Sequence, residues 1–338
     1  MIATTNAARA RKQDAKARKP TRPMPSPSRK YEYHDTVLLD ESVERLLPAP
    51  GKLLVDGTLG GGGHSLALLS AGARVIGLDH DPEALAFAGR RLAEFGDQFQ
   101  PVRSNFSRLG EALDQLGIGK VDGVLLDLGV SSRQLDTAER GFSFMHDGPL
   151  DMRMDPSNPI SAADLVNTMS GEQLEKIFRT YGEEPAARKI AAKLTRERLV
   201  RPFTTTKELA DAVESVVPRH GRTHPATRIF QALRIAVNRE LDALTEGLQQ
   251  ATDRLAPGGR LAVITFHSLE DRIVKTFFKE RTVETIDRPE WPAARPNPLY
   301  LFKAITRKPV VASEAEQRAN PRSRSAKLRV VERIHHVR

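Results

Sequence analysis

The sequence predicts an α/β fold, a mostly parallel sheet covered by helices on both faces and interrupted by an inserted helical block. Three observations predict it. Short apolar runs alternate with helical segments over residues 35–130. That rhythm then gives way to a polar stretch and a series of helices without a convincing strand. An apolar run at 258–266 finally returns the chain to the sheet. Strands separated by helices imply parallel pairing buried on both faces.

The elements follow in order. KLLVDGT (52–58) is a short apolar run ending in turn residues, hence a buried strand. SLALLSAG (65–72) is a helix and ARVIGLD (73–79) a second strand. Asp81 caps the next helix, 82–95, with Pro82 in its first turn, where the missing N–H costs nothing. A third strand (99–105), a helix (107–117) and a fourth strand (121–129) continue the pattern. Residues 136–160 carry turn signals, and 161 to about 222 reads as helical, with capping boxes at Ser170–Gln173 and Thr205–Glu208. One long helix is expected over roughly 226–255, then the strand 258–266, a helix (268–280) and a last strand (299–306). The expected division is therefore a segment 1–30, a discontinuous sheet domain of 31–135 and 231–338, and a helical insertion of 136–230.

Charge is unevenly spread. The formal net charge is +9, yet residues 1–30 hold nine Lys or Arg against Asp14, and 317–338 hold seven against Glu332. The remaining 31–316 have 36 basic and 41 acidic residues. Basic ends of this kind neutralise phosphates without reading sequence, which suits a nucleic-acid partner. Segment 1–30 is expected to be a disordered basic tail, and an organelle transit peptide shares its composition. No apolar run is long enough to span a membrane and no secretory leader is visible, so a cytoplasmic protein without a membrane partner is expected. The chain has no cysteine. Thiolate zinc sites, iron–sulfur clusters and covalent Cys adducts to a base are excluded. No metal site is expected.

Three segments carry chemistry. In VDGTLGGGGHS (55–65), a strand passes through Asp56 into a glycine-rich turn and a helix, the shape of a nucleotide-binding loop. Asp56 would repel a dinucleotide pyrophosphate, whereas S-adenosylmethionine has no phosphate and carries an ammonium and a sulfonium. Asp79, ending the next strand, is placed to accept both ribose hydroxyls, a role shared with nicotinamide enzymes. Asp127, in LLDLGVSSRQLD (125–136), lies at the carboxyl end of the fourth strand and can accept a hydrogen bond from an exocyclic amine, drawing the nitrogen lone pair towards a methyl donor. On the long helix, Ile229, Leu233, Ala236, Val237 and Leu241 form an apolar stripe. Arg228, Arg234, Asn238 and Arg239 fall elsewhere and read as a solvated face. His267 and Ser268 reach the same sheet edge as Asp127 and are candidates to line an acceptor pocket.

The ordered series HDTVLLDESV, VDGTLGGGGHS, LLDLGVSSRQLD, RGFSF, GPLDMRMDP, FQALRIAVNREL, FHSLEDRIVK and NPRSRSAKLR resembles the ribosomal RNA small subunit methyltransferase H family, from His34 to about Arg333. The resemblance implies a class I, Rossmann-like S-adenosylmethionine-dependent methyltransferase with a helical insertion for substrate recognition. It implies methylation of cytidine N4 in the decoding region of 16S ribosomal RNA, met as naked RNA or within the small ribosomal subunit. A homodimer is a further state the reading leaves open. By position in the motifs, the cofactor contacts fall on Gly62, Gly63, His64, Asp79, Phe106, Asp127 and Gln134, with Asp127 also the catalytic residue. Thr265 stands where the family usually has Ser. DLGV lacks the Pro-Pro-aromatic sequence of DNA amino-methyltransferases, so Phe142 and Phe144 are the candidates to stack on the base. Methylation of another RNA or protein heteroatom, a nicotinamide-dependent oxidoreductase and a catalytically silent RNA-binding protein are the rival readings.

Overall fold

The computed structural model describes residues 36–219 and 224–335. The basic segment 1–30 lies outside them. In chain order, α1 (Leu39–Leu46) precedes β1 (Leu53–Asp56), α2 (Gly63–Ser70), β2 (Arg74–Asp79), α3 (Pro82–Arg91), β3 (Phe99–Arg103), α4 (Leu109–Gln115) and β4 (Val121–Asp127). Then come α5 (Ser132–Asp136), α6 (Ala162–Thr168), α7 (Gly171–Tyr181), α8 (Ala187–Glu197), α9 (Thr206–Glu214) and α10 (Ala226–Asn238). The chain continues through α11 (Glu240–Arg254), β5 (Leu255–Thr265) and α12 (Ser268–Thr282). A small ribbon of β6 (Thr285–Ile286) and β7 (Arg295–Pro296) precedes β8 (Phe302–Ala304), β9 (Val310–Val311), α13 (Glu314–Ala319) and β10 (Lys327–Arg333).

The main sheet runs β3-β2-β1-β4-β5-β10-β8, with β9 also on β10. The first five strands are parallel, and β10 is antiparallel to β5, β8 and β9. Alternation along each strand divides its apolar residues between two cores. Leu54, Leu125 and Ile264 join Leu68 and Leu69 of α2 and Ala88 of α3 on one face. Val55, Leu126 and Val263 join Leu113 of α4, Leu248 of α11 and Phe278 of α12 on the other. Continuous apolar runs such as LLV and VLLD are what a strand covered on both sides requires.

A third core lies among α6 to α10, around Phe178, Ile190, Leu194, Leu209, Ile229 and Leu233. The boxes at Ser170–Gln173 and Thr205–Glu208 start α7 and α9, and Ser161–Asp164 starts α6. The apolar stripe of α10 packs into this core as far as Val237, beyond the expected boundary at 230.

The expected helix 226–255 is two helices. Arg239 takes a left-handed conformation, φ +50°, and separates α10 from α11. Propensity favours continuation here, but tertiary hydrogen bonds hold the break. The Asn238 amide donates to Met152 O (2.8 Å), and its Oδ1 accepts from Met154 N (2.8 Å). Arg234 and Glu240 then meet across the kink through two bonds of 2.8 and 2.9 Å.

The basic carboxyl end is likewise not a free tail as far as it is described. β10 lies between β5 and β8, and its Lys327 and Arg329 both pair with Asp271 on α12. Arg322 reaches Asp136 and Arg260 pairs with Glu332. These cations are answered within the fold. Leu328 of β10 is fully buried, so Leu328→Ala is expected to cost about 2–5 kcal/mol by urea denaturation, whereas a tail residue would change nothing measurable.

Candidate active site

The carboxyl ends of β1, β2 and β4 open into one cleft, and each of these strands ends in aspartate. Asp56 sits beneath the glycine loop. It accepts a hydrogen bond from Ser65 Oγ (2.7 Å) and one from Thr58 N–H (3.3 Å), and it does not line the cleft. It fastens the end of β1 to the start of α2. Burial pushes its carboxyl up to about 6.

The loop needs its glycines for two reasons. Gly62 has φ +72°, a conformation costly for residues with a Cβ, and a Cβ on Gly63 would collide with Thr36 Oγ1. Arg91, which also lines the cleft, donates to Gly61 O at 2.7 Å and holds the loop. Gly60, Gly61, Gly63 and His64 line the cleft, while Gly62 turns towards Leu92 and Ala88.

Asp79 lines the cleft at the end of β2. One carboxylate oxygen accepts from Gly60 N (2.8 Å) and the other from Asp81 N (2.9 Å), fixing the group with lone pairs left for a ligand. Burial raises its pKa. Asp81 caps α3 through Glu83 N, as its position before Pro82 suggested. Phe106 lies just beyond β3 and packs close to Gly57 and Gly247. Gln134 is the third residue of α5. Its Oε1 accepts from Ser131 N–H (3.0 Å) in a capping box, leaving the amide NH2 to offer to a ligand.

Asp127 ends β4. Its backbone N–H donates to Thr58 Oγ1 at 2.7 Å, and its Oδ2 lies 3.6 Å from His64 Nδ1. The other oxygen, Oδ1, is buried with no hydrogen-bond partner among the described residues. Burial, then Asp56 and Glu270, push its carboxyl well above the usual carboxylate range.

The fold also brings in residues the sequence reading passed over. Phe266, Glu270, Asn238 and Glu240 all line the cleft. Arg234, read as solvated, is largely buried against Glu240. His267 and Ser268 are not on the lining. His267 caps α12, with Nε2 3.0 Å from Glu270 Oε1, and Ser268 donates to Glu183. Burial raises the Glu270 carboxyl, but His267, Arg234 and the Phe266 N–H more than offset this and hold it below its ordinary value. Glu240, His267 and Glu270 bring one ligand atom each within 4.8 Å of one another. Arg234 already takes both Glu240 oxygens, so this cluster reads as a charge network.

Phe142 and Phe144 do not stack on anything in the cleft. Phe142 is buried in the helical core, and Phe144 packs edge-on against Phe230, with ring centroids 4.8 Å apart. Phe266 lines the same cleft as Asp127, and a Cβ on Gly129 would lie 3.4 Å from its ring. Sequence reasoning named only Phe142 and Phe144, because which strand ends meet is visible only in the folded sheet.

A family model described as the MraW methylase family matches residues 31–334. The chain belongs to the MraW methylase family. It is 52% identical over 309 residues to a Heliobacterium modesticaldum protein named ribosomal RNA small subunit methyltransferase H, covering 89% of this chain and 99% of that one. A Syntrophotalea carbinolica protein of the same name is 51% identical over 313 residues, covering 91% and 100%. As a member of this family the chain is a methyltransferase with S-adenosylmethionine as its cofactor. The residues present suit that group: buried carboxylates face a cleft that would receive a sulfonium, and glycines give its backbone close approach.

The raised carboxyls set a pH dependence. The folded value of about 6 for Asp56 lies above the ordinary 3.8, so its contribution to stability is full below about pH 4 and is lost as pH rises through about 6. A cationic ligand favours the ionised form. S-adenosylmethionine affinity should therefore weaken roughly threefold to tenfold between pH 7.5 and 5.5, and that of S-adenosylhomocysteine, whose sulfur is neutral, should weaken less. Calorimetry with both ligands across this range tests it, and equal, flat profiles would contradict it.

Proposed function

We propose that this methyltransferase modifies the exocyclic N4 of a cytidine in the decoding region of 16S ribosomal RNA, presented by the small ribosomal subunit in the cytoplasm. The relatives' name supports ribosomal RNA as the substrate class. The observation that carries the acceptor chemistry is the buried Asp127 Oδ1, without a hydrogen-bond partner among the described residues, in a cleft that Phe266 also lines. An amine N–H inserted there satisfies an acceptor that is otherwise costly to bury.

Asp79 would hold the ribose, Phe106 the adenine face, and the loop of Gly60 to Gly63 with His64 and Gln134 the methionine end. The bound cofactor supplies an electrophilic methyl group on a cationic sulfur. Phe266 would stack on the unstacked base, as base-modifying enzymes require. Asp127 accepts a hydrogen bond from N4–H and turns the nitrogen lone pair towards the methyl group. The bound cofactor would supply the methyl carbon to N4, and Asp127, whose raised pKa suits it to receive a proton, would take the one that N4 gives up. With no cysteine in the chain, no Cys adduct forms. Positioning supplies most of the acceleration. The helices of 136–230 would form the part that holds the folded RNA.

Incubation with methyl-labelled cofactor and unmodified small subunits, followed by digestion, should place the label in N4-methylcytidine. Label in another nucleoside would keep the enzyme class and overturn the acceptor. Asp127→Asn should bind cofactor within a few-fold of wild type and lose about a hundredfold or more in single-turnover rate. An unchanged rate would remove Asp127 from the chemistry.

A further inference from the structure

The segment 152–154 forms part of the cleft wall, through Met154, yet has no helix or strand to fix it. Besides Asp151, whose Oδ1 accepts from Arg153 N–H at 2.9 Å, two side chains from distant positions hold its backbone. Asn238 bonds Met152 O and Met154 N from one side. From the other, Arg140 Nη2 donates to Arg153 O (3.1 Å) and Met154 O (3.0 Å). The Nη1 of Arg140 donates to Asp81 Oδ2 at 2.8 Å. Asp81 follows Asp79 by two residues, and its own N–H holds Asp79 Oδ1.

One guanidinium therefore joins the wall of the cleft to the loop that carries the ribose carboxylate. The pair is well shielded, with 15% of the Arg140 side chain and 4% of the Asp81 side chain exposed. A buried guanidinium is costly unless its donors are met, and here one carboxylate and two carbonyls meet them. Lysine has no planar fork and cannot span the same three acceptors. The capping of α3 does not require Arg140, because Asp81 caps through its other oxygen, Oδ1, to Glu83 N.

We infer that Arg140 is a positioning residue for the cofactor: it sets the spacing between Asp79 and the Met154 wall, so that adenosine is enclosed on both sides. The inference rests on the cofactor site and not on the identity of the RNA acceptor. Its test therefore reads cofactor binding, which a wrong acceptor would leave untouched.

S-adenosylhomocysteine binding should be measured by calorimetry, with thermal denaturation in parallel, on the full chain and on Arg140→Lys, Arg140→Met and Asp81→Asn. Asparagine still caps a helix, so Asp81→Asn removes the charge pair while sparing α3. Arg140→Met is expected to weaken binding about tenfold, the scale of a lost charge-assisted bond. Arg140→Lys should recover most of the melting temperature but little of the affinity, a separation that a purely structural role would not produce. Asp81→Asn should weaken binding less than Arg140→Met, and the double variant should be no weaker than Arg140→Met alone. Affinities within twofold of wild type in Arg140→Lys and Asp81→Asn would overturn the inference, whatever happens to stability. If Arg140→Met does not fold, these two variants decide the question alone.

Discussion

Asp56, Asp79 and Asp127 end three neighbouring strands on the same edge of the sheet, and most of the site is a response to that crowding. Like charges in a poorly solvated cleft raise one another's pKa, and burial raises them further. The fold offsets part of this with fixed donors. Ser65 and Thr58 serve Asp56, and the N–H groups of Gly60 and Asp81 serve Asp79. Asp127 Oδ1 is left without a hydrogen-bond partner among the described residues. A cationic cofactor entering this cleft would offset part of the negative charge that the three strand ends accumulate.

The opposite wall obeys the same economy of charge. Arg234 is buried against Glu240 across the kink at Arg239, and Glu270 is held by two backbone N–H groups and by His267. The kink spends helix continuity to turn Asn238 and Glu240 into the cleft. A straight helix through 226–255 would carry these two residues on different faces, because neighbours two apart do not point the same way. Thus a break that propensity opposes is held by the hydrogen bonds of Asn238 and the Arg234–Glu240 pair.

The carboxyl end shows how composition can mislead. Lys327, Arg329 and Arg333 look like a phosphate-binding tail in sequence, yet they lie on a strand whose residues Leu328, Val330 and Val331 are buried. Lys327 and Arg329 pair with Asp271 on α12, Glu332 pairs with Arg260, and Arg333 donates to Thr252 O. Net charge counts residues without regard to which face of a strand they occupy.

Much of this protein was legible in the sequence because local patterns encode local structure. Apolar runs ending in aspartate mark the parallel strands, a glycine-rich turn marks the loop, and Asp79 and Asp127 stand out as strand-end carboxylates. Capping residues such as Ser170 and Thr205 place helix starts within the insertion. The resemblance to a methyltransferase family supplied His64, Phe106 and Gln134, which all line the cleft. What only the tertiary structure decided were the contacts between distant segments. These are Phe266 on the cleft wall, Phe142 and Phe144 in the helical core, the burial of Arg234, the kink at Arg239, the strand at 327–333 and the Arg140 clasp. Periodicity reports which face of an element is apolar. It cannot report which strand ends meet or which buried charge finds its partner, because those depend on how the chain returns through space.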